Sequence, residues 1–196
     1  VTDIVRAECE KQGAALHIAD FSRLSSEFDS LDGQVFSYKG DAYALPLLGA
    51  HQLRNAAAVI ETVQVLRARG WKLEQSDVEH GLYAVAWPAR FEVVADDPYF
   101  VVDGGHNPQC AQTVADNLHA YFPDRKHVLL VGVLADKDFE GIYDALLPLA
   151  ERIYAVTPDS PRALTADKLC ERLADEYHFT AAKPYGSVAD ALKAVL

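Results

Sequence analysis

From Arg90 onward the chain keeps a single beat, in which a short run of continuous apolar residues is followed by about 10–15 residues of helical character and then by another run. The runs are FEVVA (91–95), YFVVD (99–103), HVLLVG (127–132), RIYAV (152–156) and AAKPY (181–185). Helices are expected between them at 108–121, at about 139–150 and at about 165–177, with a last one opened by Ser187, which has Asp190 at the capping spacing. Strands apolar on both sides and separated by helices build a mainly parallel sheet covered on both faces. The fold class read from the sequence is therefore α/β, and residues 91–103 are expected to supply two strands of that sheet.

The part before Arg90 has a different texture. Residues 3–12 (DIVRAECEKQ) form an amphipathic helix stopped at Gly13, and 14–18 (AALHI) reads as a short strand. QVFSY and YALPL, separated by Lys39-Gly40-Asp41, form a β-hairpin. From His51 to Arg69 the apolar residues Leu53, Ala56, Ala57, Ile60, Val63 and Leu66 recur at helical spacing, and Gly70 supplies the left-handed position that ends a helix. A further helix is expected from Ser76, capped through Glu79, to about Tyr83, and Trp87-Pro88 ends it. This places a domain boundary near Pro88, with residues 1–87 on one side and 88–196 on the other.

Charge and composition narrow the function. Eighteen basic against 29 acidic residues give a net charge of −11, which excludes a sequence-independent nucleic-acid binder, whose affinity needs a basic face. No apolar run approaches the roughly 18–20 residues needed to cross a bilayer, and VTDIVRAECEKQG lacks the basic-then-apolar order of a secretory signal, so a cytoplasmic protein without membrane partners is expected. Cys9, Cys110 and Cys170 are far apart and form no CxxC, which supports neither a disulfide framework nor a zinc site. The absence of Met and the helix-like stretches at both ends, the last closing at Ala194-Val195-Leu196, read as a piece of a longer protein.

Ligands of an open parallel sheet bind beyond the carboxyl ends of its strands. After YFVV come Asp103, Gly104, Gly105, His106, Asn107 and Pro108. An Asp at a strand end accepts hydrogen bonds from ribose hydroxyls, glycines admit close backbone approach, and Pro108 fits the first turn of a helix whose free N–H groups attract anions. The competing reading is that Asp103 and Asn107 only turn and cap the chain. A second strand end carries Asp136-Lys137-Asp138, where Asp138 also suits a plain helix cap, and a third carries Thr157-Pro158-Asp159-Ser160-Pro161-Arg162, where Arg162 is able to clamp a carboxylate. In the first part His51, Gln52 and Asn55 share one side of a helix start, either as a site or as a polar end facing water, and Arg90 stands at the proposed boundary, suited to phosphates or to a structural ion pair.

LPLLGAHQLRNAAAVIE (45–61), WPARFEV (87–93), VVDGGHNPQ (101–109), VGVLADKDF (131–139) and TPDSPRAL (157–164), taken in order, resemble the folylpolyglutamate synthase and dihydrofolate synthase family of the Mur ligases. The resemblance implies an ATP-dependent ligase with a Rossmann-like C-terminal domain, in which a folate or dihydropteroate carboxylate becomes an acyl phosphate that the amino group of glutamate attacks. It assigns Asn55 to the adenine side of ATP, Arg90 to the phosphates, Asp103 to the ribose, and His106 to the catalytic position beside the phosphates and the incoming glutamate. Gly105 stands where the family more often has Ala, a small-for-small exchange. No GxxxxGK[ST] occurs, so the resemblance puts the P-loop and the Mg²⁺ ligands upstream, makes residues 1–87 the end of the ATP-binding domain, and leads to the expectation of a monomer that is inactive as this piece alone. The alternative is a stand-alone nucleotide-binding or regulatory module. An NAD-dependent oxidoreductase is disfavoured, because no GxGxxG follows a strand.

Overall fold

Lys39 and Gly40 sit at the tip of the hairpin between QVFSY and YALPL with φ of 55° and 100°, the two successive positive values that a tight two-residue hairpin turn demands. In the computed structural model, which describes residues 2–195, this turn joins β2 (Gly33–Tyr38) to β3 (Asp41–Leu45), and β1 (Leu24–Ser30) pairs antiparallel on the far side of β2. Alternation along β2 sends Gln34, Phe36 and Tyr38 inward, where Phe36 stacks on Tyr43 at 5.4 Å between ring centroids. Helix α2 (Ala50–Ala68) lays Leu53, Ala56, Ala57 and Ile60 on this face, and α3 (Gln75–Tyr83) adds Val78 and Leu82. Preceding them is α1 (Thr2–Gln12), which buries no residue.

Several local readings change. Residues 14–18 are not a strand. Their short apolar run finds no strand to pair with, and an unpaired run has no reason to stay extended. Strand β1 was not foreseen, because LSSEFDS alternates no apolar residues; it is held by backbone bonds to β2, with a bulge between Ser26 and Phe28. Helix α3 starts one residue before Ser76, and its first turn is closed by the Glu74 N–H donating to Asp77 Oδ2 at 2.7 Å, not by Ser76 and Glu79.

FEVVA and YFVV are not strands of the parallel sheet. They form β4 (Glu92–Asp96) and β5 (Tyr99–Val102), an antiparallel pair joined by Asp97-Pro98. Two linking residues allow only a hairpin, since a parallel partner needs a crossover of about a dozen or more.

The rest follows the expected beat. Helix α4 (Pro108–Tyr121) leads to β6 (His127–Val131), α5 (Phe139–Leu146) to β7 (Ala150–Val156), and α6 (Ala166–Tyr177) to β8 (Ala182–Tyr185); α7 (Val188–Val195) closes the series. Strands β6, β7 and β8 form a parallel sheet in that order. Central β7 is buried on both sides: Ile153 and Ala155 pack with Phe139, Tyr143, Leu169 and Leu173, while Tyr154 and Val156 pack with Ala191 of α7. Ser187 and Asp190 form the foreseen cap, with the Asp190 N–H donating to Ser187 Oγ at 3.1 Å. Leu196, at the end of the last expected helix, lies outside the described residues. By its contacts the chain divides into Val1–Val102 and Asp103–Leu196, so the hairpin of β4 and β5 groups with the first unit.

Candidate functional site

Asp103 leaves the end of β5 half-buried, and its Oδ1 accepts the Gly105 N–H at 2.6 Å. The carboxylate thereby folds the chain into a tight turn that exposes Gly104, Gly105 and His106. His106 Nδ1 lies 3.1 Å from the Gly104 carbonyl oxygen. An oxygen there only accepts, so Nδ1 carries the proton when this bond is made and Nε2 of the exposed ring is left as the acceptor. Asn107 ends the turn in an extended conformation and caps α4, its Oδ1 accepting the Cys110 N–H at 2.9 Å, with Pro108 in the first helical turn. Turning and capping are thus real tasks of Asp103 and Asn107.

Gly105 is more than a small residue in this turn. A Cβ added there would stand 2.9 Å from Asp103 Oδ1 and 3.1 Å from Cys110 Cβ, so alanine at this position requires the carboxylate to swing away from the Gly105 N–H.

At the other strand ends the side chains are engaged with one another. Asp136 Oδ2 accepts from Arg162 Nη1 at 2.7 Å, an exposed ion pair that ties the loop after β6 to the loop after β7. Two backbone bonds support the same tie: the Ala135 N–H donates to the Arg162 carbonyl at 2.7 Å and the Leu164 N–H to the Val133 carbonyl at 3.0 Å. Asp138 caps α5, its Oδ1 accepting the Gly141 N–H at 3.0 Å. Cys9, Cys110 and Cys170 are all unpaired and half-buried, and burial pushes the Cys170 thiol up.

Asn55 and Arg90 belong to the first unit. Asn55 is exposed in the second turn of α2 and donates through Nδ2 to Gln52 Oε1 at 3.0 Å. Arg90 is exposed after α3, with its guanidinium 5.8 Å from the centroid of the Trp87 ring, in the range of a cation–π contact. The structure brings Asp103 and His106 together in one turn; Asn55 and Arg90 stand on separate segments of the other unit.

One residue that supports the Asn55 helix was missed in the sequence. Gln34 is 2% exposed and donates through Nε2 to the Leu47 carbonyl at 2.6 Å and the Gly49 carbonyl at 3.3 Å. It pins the turn that enters α2 at Gly49, whose φ of 97° favours glycine. The available signal was a polar residue on the inward parity of β2.

Among the described residues no three His, Cys, Asp or Glu side chains come together as a metal site, and no helix is long and apolar enough to cross a membrane.

Comparison with known proteins gives a consistent set of relatives. The family described as Mur ligase, glutamate ligase domain matches residues 89–196. A folylpolyglutamate synthase of Lacticaseibacillus casei is 35% identical over 139 residues, 67% of this chain and 32% of the relative. A dihydrofolate synthase/folylpolyglutamate synthase of Mycobacterium tuberculosis is 33% identical over 183 residues, 86% of this chain and 36% of the relative. The solved structure of a Mycobacterium tuberculosis folylpolyglutamate synthase complexed with ADP superimposes with a TM-score of 0.85 at 28% identity, covering 98% of this chain and 44% of that one. The chain spans about a third of the length of the two curated relatives.

Proposed function

The chain belongs to the Mur ligase family, through its glutamate ligase domain, and from that premise we propose that it is part of an ATP-dependent ligase joining glutamate to dihydropteroate, to folate, or to both. The single observation that carries the reading is the Asp103–Asn107 turn at the end of β5, where a carboxylate, two glycine backbones and an exposed imidazole precede a helix N-terminus within the segment that matches the family. The names of the relatives support the substrates, and the ADP complex of one of them supports the nucleotide. The start of the family match at residue 89 supports a domain boundary near Pro88.

In this reading the substrate carboxylate takes the γ-phosphoryl group of ATP to become an acyl phosphate. The glutamate amine then attacks its carbonyl carbon, an amide bond forms, and phosphate leaves. Asp103 accepts hydrogen bonds from the ribose, Asn55 contacts the adenine, and the guanidinium of Arg90 binds phosphate oxygens. His106 sits beside the reacting phosphate, where Nε2 is suited to take the proton that the attacking amine sheds. Among the described residues no cluster fits a Mg²⁺ site, so no step of this chain's chemistry is routed through the metal.

Kinetics of variants in the intact ligase test the assignment. Asp103→Ala weakens ATP binding by about 1.5–3 kcal/mol, the range for hydrogen bonds to a charged group, or about one to two decades in affinity, with smaller changes for folate and glutamate. His106→Ala lowers kcat more than it raises KM, because it acts on the transition state. Arg90→Ala changes both. If all three variants melt lower while KM for ATP and kcat stay normal, the turn is structural only. Nucleotide binding without any transfer of glutamate by the intact protein would leave a regulatory module in place of a ligase.

A further inference from the structure

Glycine inside a helix is disfavoured by chain entropy, so a helical glycine invites a search for what its missing side chain admits. Gly141 is the third residue of α5. A Cβ added to it would lie 2.6 Å from Pro108 Cγ and 2.9 Å from Pro108 Cβ, well inside ordinary contact distance. Carbon atoms pack at about 3.5–4.0 Å, so any side chain here must drive Pro108 away by about 1 Å. Relief on the α5 side is opposed by its cap, because the Gly141 N–H is held by Asp138 Oδ1 and the added Cβ would also stand 3.1 Å from Asp138 Oδ2. Pro108 is a rigid ring in the first turn of α4, directly after His106 and Asn107. A push on the ring is therefore a push on the end of the Asp103–Asn107 turn.

We propose that Gly141 is a positioning residue for that turn: its bare backbone seats Pro108, and Pro108 in turn fixes the imidazole of His106 and the cap made by Asn107. The proposal rests on the ligase reading only for what the turn is used for; the seating is a property of the fold. In the reaction proposed above, a displacement of about 1 Å beside the reacting groups is worth on the order of 10²-fold in rate.

The test is made on the chain itself by NMR and amide hydrogen exchange. Gly141→Ala is expected to shift the ring resonances of His106 and to speed exchange of the Cys110 and Gly105 amides, the two that Asn107 and Asp103 hold, by about tenfold or more through local opening. The Lys168 amide at the cap of α6 serves as the internal control and is expected to stay unchanged. Pro108→Gly removes both ring atoms that the new methyl group meets and leaves only Asp138 Oδ2, at the cap of α5, so in the Pro108→Gly background the Gly141→Ala change is expected to add no further perturbation at His106 or at the Gly105 and Cys110 amides. The proposal is overturned if Gly141→Ala leaves His106 and the two amides unchanged, if it speeds all amides of residues 103–196 alike, or if its effect is the same with and without Pro108. Should Gly141→Ala fail to fold, folding of the double variant supports the seating and unfolding of both overturns it. A ligase reading that fails in the intact protein leaves these signals as expected, which separates the two failures.

Discussion

Glu61 shows how one side chain links elements that the sequence keeps apart. Its carboxylate forms an ion pair with Lys39 at the hairpin tip and accepts the Tyr38 hydroxyl at 2.8 Å, while that hydroxyl accepts the Asp20 N–H at 3.0 Å. The Lys39 ammonium, and after it the Tyr38 hydroxyl, hold the Glu61 carboxyl below its ordinary value of 4.5 against an opposing push from burial. A folded-state value below the unfolded one gives stability that is present above the ordinary value and is lost as pH falls through the depressed one. Glu61→Gln is expected to lower stability at neutral pH by about 1 kcal/mol or less, because Lys39 is partly exposed and solvent screens the pair. Urea titrations of both proteins check it: the difference has to shrink as pH drops below 4.5, and a difference that persists in acid excludes the ion pair as its source. Asn107 supports a second expectation at this scale. Asn107→Ala removes the acceptor for the Cys110 N–H and costs about 0.5–2 kcal/mol, whereas Asn107→Asp keeps the acceptor and most of the stability. Equal losses in thermal melts of the two variants would show that the cap is not what Asn107 contributes.

At the scale of the element, two helical glycines have opposite meanings. Gly81 lies in α3 with nothing within 4 Å of the place a Cβ would take, and its φ is not in the left-handed region. Gly81→Ala is therefore expected to stabilise by about 0.5–1 kcal/mol through helix propensity alone. In α5 the same exchange at Gly141 meets Pro108, and the packing penalty reverses the sign. Midpoints of urea unfolding for the two single variants decide it; a Gly141→Ala protein stabilised as much as Gly81→Ala would mean that α4 and α5 separate without cost. The tie between the loops after β6 and β7 works at the same scale. The Arg162–Asp136 pair is exposed and worth little by itself, but it sits beside two backbone bonds that already join the loops, so it selects a geometry that they stabilise.

For the whole molecule, each unit has a core of its own. Phe36, Tyr38, Tyr43 and Leu53 anchor the first, and Ile153, Leu169 and Leu173 the second. Residues 103–196 expressed alone are expected to unfold cooperatively in urea. A boundary near Pro88 predicts that 88–196, which adds the β4–β5 hairpin, has the higher midpoint; equal midpoints favour the division at Val102 and Asp103. The 196-residue chain by itself is expected to form no folate–glutamate bond from ATP, glutamate and dihydropteroate or folate, since the proposed phosphate-cradling loop is not on it. Turnover by highly purified chain would sink that reading.

What the sequence by itself determined are the features written in local periodicity and local caps. The three- and four-residue spacing from Leu53 to Leu66, the Asn107-Pro108 start of α4 and the apolar runs of β6 and β7 each report how one segment is buried, and each was found where expected. The Asp103–Asn107 turn was likewise legible as a candidate, because its residues are consecutive. Tertiary structure alone decided the rest. Strand β1 exists through backbone bonds to β2 that no side-chain pattern announces, and residues 14–18, apolar but unpaired, stay out of any sheet. Gln34 holds the entry to α2 from a strand 15 residues away from Gly49. Gly141 matters because of Pro108, a partner remote in the chain, and the information it carries is an absent atom. Periodicity tells which face a segment hides, but not which distant residue comes to lie against it, and that second fact is set only when the elements pack.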